Sequence, residues 1–203
     1  MTCENRFEKI YARNIWGNGP GEGSHPRHTA GHVAFLQSFL AANRVRSVVD
    51  FGCGDWQFSR LVDHPASAGT GFDIVRPVVR RTLPSRPDNV GFRFDPGRGI
   101  ESPPADLLIV KDAAALVGRG GARLCRRSQR FPLALITNCM NSARPNVNPA
   151  DHRRRIPLPD LRAAPFHLPA EEVFSLRSVN LLVAAAAGRF WRKSVLCSSG
   201  RPA

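Results

Sequence analysis

The sequence predicts an α/β fold, a doubly wound, mostly parallel sheet of about seven strands with helices on both faces. Three observations carry this. Ser47 to Ser59, SVVDFGCGDWQFS, reads as strand, glycine turn and helix. Short apolar runs then alternate with helix-like segments along the rest of the chain. Carboxylates fall at or just past the ends of the first four runs, at Asp50, Asp73, Asp95 and Asp112. With 203 residues the chain can bury a sizeable core. One domain is expected over 1–203: an N-terminal helix and Gly-rich lid loop in 1–28, a core in 29–198 and a frayed tail in 199–203.

Residues 1 to about 15 read as a short amphipathic helix with Phe7, Ile10 and Tyr11 on one face. Trp16 to Ser24, WGNGPGEGS, holds four glycines and a proline and must be a loop. An aromatic held between glycines suits a cover better than a spacer, so Trp16 is expected over a bound ligand. A helix follows from Thr29 to Asn43, packing Val33, Phe35, Leu36, Phe39 and Leu40. Strand one is Arg46–Asp50, β-branched and apolar at Val48 and Val49 as a buried parallel strand requires. Gly52 and Gly54 permit a sharp turn and a close ligand approach, having no Cβ. From about Asp55 a helix is expected, with Phe58, Leu61 and Val62 apolar. Strand two is Gly69–Ile74, and residues 75 to 88 hold a helix start and a Pro-rich connection. Strands three, four and five are Val90–Phe94, Asp106–Val110 and Leu133–Thr137. Two more are expected near Val173–Val179 and Lys193–Cys197.

The net charge is +13, and of 29 basic residues only Lys9, Lys111 and Lys193 are lysines. Such a balance can mean a nucleic-acid partner. The arginines are scattered, however, and a GC-rich genome encodes arginine heavily. The five cysteines, Cys3, Cys53, Cys125, Cys139 and Cys197, include no CxxC pair. That argues against a disulfide framework or zinc site and fits a reducing cytoplasm. No signal peptide is visible in Met1–Ala12, which is charged and lacks an apolar core. The longest apolar run, Val179–Gly188, contains Asn180 and is too short to span a membrane. No membrane partner is expected, and the oligomeric state stays open.

The glycine turn and acid row define the ligand. In open α/β sheets ligands bind beyond the carboxyl ends of the strands. A dinucleotide fingerprint needs a third glycine, and Gln57 stands in its place. Asp50 would repel a phosphate lying against the turn. Acids at four strand ends instead favour a cationic ligand. Asp73, at the end of strand two, can accept both hydroxyls of a ribose, and Ile74 beside it can pack on an adenine.

VVDFGCGDWQFS followed by GFDIV resembles the first two motifs of the class I S-adenosylmethionine-dependent methyltransferases. FEKIYARNIWG, DLLIVKD and PLPDLRAAPFHLP extend the likeness along most of the chain, toward a bacterial methyltransferase-like family of undefined substrate. The resemblance implies a Rossmann-like sheet whose last strand is antiparallel, with S-adenosyl-L-methionine as cofactor. It implies that Asp50, Phe51, Gly52, Cys53 and Gly54 bind the cofactor, with Gly52 and Gly54 admitting the amino-acid portion and Asp50 facing its ammonium. Asp95 would lie near the adenine amino group. Lys111 and Asp112 would flank the methionine end, and Trp16 would cover the cofactor.

The expected reaction is methyl transfer to a small-molecule acceptor, with Asp112 as the candidate acid–base residue. The alternative is a catalytically impaired S-adenosylmethionine-binding protein with a regulatory or partner-binding role. A third reading, an NAD-dependent oxidoreductase, is disfavoured by Asp50 and Gln57. The alternative arises because the segment after Asp112 departs from the family. Leu116-Val117 stands where a His-Leu pair is usual, and Gly120 and Gly121 interrupt the helical pattern. The loop Asn138–Pro149 is expected to contact the acceptor, and Phe166 to plug the rim of the pocket. His28 and His32 have i, i+4 spacing, but no HExxH glutamate or third ligand accompanies them, so no metal is expected.

Overall fold

The computed structural model describes residues 3–17, 19–63, 69–85, 87–95, 102–112, 120–141, 160–178 and 191–200. Its elements are α1 (Cys3–Ala12), α2 (Pro26–Ala42), β1 (Val48–Phe51), β2 (Gly69–Asp73), α3 (Arg76–Thr82), β3 (Val90–Phe94), β4 (Leu107–Lys111), α4 (Gly120–Ser128), β5 (Leu133–Asn141), β6 (Glu171–Ser178) and β7 (Trp191–Ser199). The seven strands form one mixed sheet in the order β3-β2-β1-β4-β5-β7-β6. The chain divides into two compact units, Met1–Ile109 and Val110–Ala203.

In the first unit β1 pairs in parallel with β2 and with β4, and β2 with β3. All four residues of β1 are buried, which explains its unbroken apolar text around Asp50. Phe51 stacks on Phe72 of β2 at 5.0 Å. Gly71 leaves room for Phe92 of β3, since a Cβ there would sit 2.7 Å from its ring. Helix α2 begins at Pro26, three residues before the expected Thr29. Pro26 has no N–H to lose at the first turn, and His25 Nδ1 accepts the Arg27 N–H at 3.3 Å. Thr29, His32, Leu36 and Leu40 form its buried stripe.

The helix expected from Asp55 does not form. The chain makes a tight turn and one 3-10 turn at Ser59–Leu61. Trp56 is the reason. Its φ is 62°, outside the helical region, and its ring drops into the core against Phe92 at 5.2 Å. Phe58 and Val62 are buried as expected, but Leu61 is exposed.

In the second unit β7 runs antiparallel to both β5 and β6, so the final strand has the expected direction. Both late strands differ in extent from the expected ones, β6 starting at Glu171 and β7 spanning Trp191–Ser199. The ladder with β5 is continuous from Leu133↔Ser199 to Asn141↔Trp191, longer than the apolar run alone suggested. A bulge at Glu172/Phe174 turns Val173 outward. Gly120 and Gly121 do not interrupt a helix but open α4, whose last turn carries Arg126 and Arg127 where the helix dipole favours cations. Residues 113–119, with the Leu116-Val117 pair, lie outside the described residues, as do 142–149 of the expected acceptor loop and the run 179–188. Among the described residues no helix is long and apolar enough to cross a membrane.

The β1–β4 edge is pinned by one carboxylate. Asp106 Oδ2 accepts from Arg46 N–H (2.8 Å), Ser47 N–H (2.9 Å) and Ser47 Oγ (3.0 Å), and Ser47 Oγ accepts the Asp106 N–H. The Arg46 N–H above all, then Ser47, hold this carboxyl below its ordinary range. Asp106→Ala should cost about 1 kcal/mol at neutral pH, the low end for a charged hydrogen bond because the group is partly open to water. The folded pKa lies below the unfolded one. The contribution is therefore complete above the ordinary aspartate value of 3.8 and lost as pH falls through the folded value. Urea denaturation should show the gap between wild type and Asp106→Ala unchanged from pH 7 to 5 and closing below that value.

Candidate functional site

In the first unit, the turn after β1 is tied to β2 by its own amides. Gly52 N–H and Cys53 N–H donate to the Phe72 carbonyl at 2.8 and 3.1 Å. Gly54 N–H donates to Asp73 Oδ2 at 2.9 Å, and Asp73 Oδ1 accepts the Val75 N–H at 2.8 Å. Gly52 and Gly54 have φ of 76° and 59°, the left-handed region that only glycine enters without strain. Burial pushes the Asp73 carboxyl upward, against the hydrogen bonds from Val75 and Gly54. Each carboxylate oxygen has a second lone pair, so Asp73 can still accept from a ligand hydroxyl.

The other predicted acids of this unit are also buried. Asp50 Oδ2 accepts from Ser59 Oγ at 3.0 Å, and the Asp95 N–H continues the ladder to the Asp73 carbonyl at 2.8 Å. Ile74 is half-buried just past β2. Cys53 is buried, and burial first, then Asp50 and Asp73, push its thiol up, so it stays neutral. Past the turn, Asp55 Oδ2 accepts from Gln57 Nε2 at 2.7 Å, while its buried Oδ1 has no hydrogen-bond partner among the described residues. Gln57, the residue that spoils the dinucleotide pattern, thus serves the turn itself.

The N-terminal segment comes close to this turn through Tyr11 and Pro20. Trp16 is half-buried against Phe7 of α1, ring centroids 5.9 Å apart. The side chain that reaches the turn is Tyr11, whose Oη lies 3.0 Å from where a Gly54 Cβ would stand, with Pro20 close by. Gly19 comes so near Asp55 that a Cβ would meet Oδ2 at 2.8 Å. Burial, then Asp73 and Asp55, drive the Tyr11 pKa up, so the phenol keeps its proton and remains a donor.

The second unit holds the other predicted pair. Lys111 Nζ and Lys193 Nζ both donate to Asp112 Oδ2, at 2.9 and 2.6 Å. Cys139 Sγ lies 3.9 Å from Asp112 Oδ1. The Asp112 N–H donates to the Thr137 carbonyl at 2.9 Å, and its φ is 57°. Burial works against the charge on Asp112, but Lys111 and Lys193 override it and hold the carboxyl down at about 2. A carboxylate that acidic is a weak proton acceptor at neutral pH. Burial, then Asp112, raise the Cys139 thiol to about 11. In the loop before β6, Asp160 is clasped by the Arg162 guanidinium at 3.1 Å. Leu161 and Leu168 are its buried anchors, while Phe166 is only half-buried.

Tyr11, Ser59, Cys139 and Lys193 lie against the predicted residues without having been singled out as candidates from the sequence. Two signals were available. Tyr11 is the single tyrosine, and Lys193 is one of three lysines among 29 basic residues. Among the described residues no His, Cys, Asp or Glu group could hold a metal ion. His28 Nε2 accepts from Arg27 Nε, and His32 is buried against Phe58.

Gly54→Ala combines a strained φ with a clash on Tyr11 Oη. It should destabilise by about 1–3 kcal/mol in urea denaturation. Adding Tyr11→Phe should recover part of that loss, about 0.5 kcal/mol or more, since it removes the clash but not the strain.

No family model matches the chain, and no curated protein matches it. Solved structures do. The [4+2]-cyclase SpnF aligns over 100% of this chain and 98% of its own, with a TM-score of 0.64 at 14% identity. The N-methyltransferase NodS from Bradyrhizobium japonicum WM9 aligns over 86% and 96%, with a TM-score of 0.60 at 12% identity. A SAM-dependent methyltransferase from Thiobacillus denitrificans, in complex with S-adenosyl-L-homocysteine, aligns over 83% and 90%, with a TM-score of 0.55 at 16% identity. The chain has the Rossmann-like fold of the class I S-adenosylmethionine-dependent methyltransferases.

Proposed function

We propose that this single-domain chain binds S-adenosylmethionine and transfers its methyl group to a small-molecule acceptor. One observation carries the choice of ligand. The N–H groups of Gly52, Cys53 and Gly54 are already spent on the Phe72 carbonyl and the Asp73 carboxylate. A pyrophosphate needs such amides free at the turn. Here the turn offers carboxylates instead, which suits a ligand with an ammonium, a sulfonium and no phosphate.

In this reading Asp73 accepts from the ribose hydroxyls, Ile74 packs on the adenine and Asp95 lies by its amino group. Asp50 faces the methionine ammonium. Phe51, Gly52, Cys53 and Gly54 line the approach, and Lys111 and Asp112 flank the methionine end. Tyr11 joins Trp16 in the covering segment. S-adenosylmethionine supplies an electrophilic methyl group on a sulfonium. The protein's part is positioning, which by itself lowers the barrier of an in-line displacement by several kcal/mol. Asp112, held ionised at about 2, is poorly suited to remove a proton from the acceptor. That same weakness favours the second reading, a cofactor-binding protein without turnover. Methylation of any acceptor by purified protein decides between them.

S-adenosylhomocysteine should raise the melting temperature while NAD does not. At 100 times Kd the stabilisation should be about 2.7 kcal/mol. Equal shifts with both ligands would refute the assignment. Asp73→Ala should weaken S-adenosylhomocysteine binding by about 1.5–3 kcal/mol in calorimetry, with Asp88→Ala as the exposed control. Equal affinities in the two variants would remove Asp73 from the site.

A further inference from the structure

Three of the seven residues of α3 are arginines, Arg76, Arg80 and Arg81. Val78, Val79 and Thr82 turn into the core, so Arg76, Pro77, Arg80 and Arg81 share the opposite face of the helix. Glu8, Tyr11 and Ala12 share one face of α1, at i, i+3 and i+4. These two faces, with Val75, line a groove of about 620 Å³. Every one of these residues belongs to the first unit. The volume is that of a small-molecule site.

The groove holds donors that the fold leaves unused. Among the described residues, Arg76, Arg80 and Arg81 form no hydrogen bond or ion pair. Arg76 lies over the Phe94 ring of β3, its Cζ 3.8 Å from the ring centre. That cation–π contact orders the guanidinium and gives it no oxygen acceptor. The charge of Arg81 acts on both Tyr11 and Asp55, so this head stands near the phenol. Tyr11 Oη has no hydrogen-bond partner among the described residues, and burial keeps its proton in place, which makes it a fourth donor group. Glu8 is the one acid that lines the groove among the described residues, and it forms no ion pair there. A guanidinium carries five N–H donors, so these three heads keep donors to spare whatever else they touch.

The number of donors selects the ligand. A carboxylate has two oxygens and a single negative charge. A phosphate monoester has three terminal oxygens and about −1.5 to −2 charge, and the guanidinium fork fits it bidentately. Glu8 is an acceptor for hydroxyl groups on the rest of such a molecule. We infer that the groove between α1 and α3 binds a phosphate group, either free phosphate or that of a small monoester, through Arg76, Arg80 and Arg81. The site is separate from the glycine turn, whose amides are spent, and it stands whether or not S-adenosylmethionine is the cofactor.

Tyr11 is the single tyrosine, so an isotope-labelled tyrosine ring is an NMR reporter inside the groove. Glycerol phosphate, inorganic phosphate, glycerol and acetate are titrated into the full chain at matched ionic strength. A phosphate ligand should shift the Tyr11 signals saturably, with a Kd at or below about 1 mM, and raise the melting temperature. Tighter binding of glycerol phosphate than of inorganic phosphate assigns the site to a monoester, and the reverse order assigns it to free phosphate. Glycerol and acetate should do neither. Arg80→Gln should weaken phosphate binding roughly tenfold, as expected for a lost charged hydrogen bond, and Arg80→Lys should weaken it less. Arg60→Gln removes the same charge from an exposed position outside the groove and should leave affinity unchanged. The inference is overturned if neither phosphate ligand shifts the Tyr11 signals, or if acetate shifts them equally. Unchanged affinity in Arg80→Gln overturns it too. So do equal losses in Arg80→Gln and Arg60→Gln, which would mean that the net charge of +13 alone attracts the anion. A single-stranded oligonucleotide that shifts the Tyr11 signals where the small phosphates do not would replace it with a nucleic-acid surface. S-adenosylhomocysteine, which has no phosphate, reads the proposed function separately.

Discussion

The clamp of Asp73 on the glycine turn is the constraint that organises the first unit. A buried carboxylate must find donors, and Asp73 finds them in the Gly54 and Val75 N–H groups on either side of the β2 end. That requirement sets the path of the turn. It draws Gly54 into a left-handed conformation, which brings its Cα face against Tyr11 and Pro20. The N-terminal segment is then seated by contact with a backbone that has no side chain to push it away. One acid thus serves three ends: it ties the turn after β1 to the end of β2, consumes the amide a phosphate would need, and creates the surface on which the covering segment lies.

Charge is distributed against the composition. The protein carries +13, yet the strand ends of its first unit bury three acids, Asp50, Asp73 and Asp95. The second unit does the reverse in a local way, surrounding one aspartate with two of three lysines. Neither arrangement follows from net charge, since burial multiplies the effect of a few groups while solvent screens the scattered arginines. Partner chemistry is accordingly better read from these enclosed groups than from the isoelectric point.

The fold alone leaves the reaction open. Proteins named for methylation and for a cycloaddition share it with this chain at 12–14% identity. What separates chemistries on one scaffold is side-chain placement at the strand ends. For this chain the informative placements are the spent amides of the turn and the carboxylate of Asp112, pinned by Lys111 and Lys193.

Most of the sheet could be read from residue pattern, because short apolar runs such as Val48–Val49 and Leu107–Val110 have few alternatives to a buried strand, and because the Gly52–Gly54 turn is a local property of the backbone. The acids at the strand ends were legible for the same reason: position along a strand fixes which end a residue occupies. Where the pattern misled, a long-range contact overruled it. Trp56 left the helical register to fill space beside Phe92, a residue 36 positions away in the sequence. Gly120 and Gly121, breakers by propensity, start a helix whose Cys125 and Ser128 are buried. Tyr11, Cys139 and Lys193 carry no local signature of a site. They acquire one only when β5 pairs with β7 and when the N-terminal segment folds over the turn, since a hydrogen bond or ion pair between distant residues exists only once tertiary packing has brought them together. Residue pattern by itself determined the scaffold and the acids at its strand ends; three-dimensional packing decided which side chains meet there and in what state of charge.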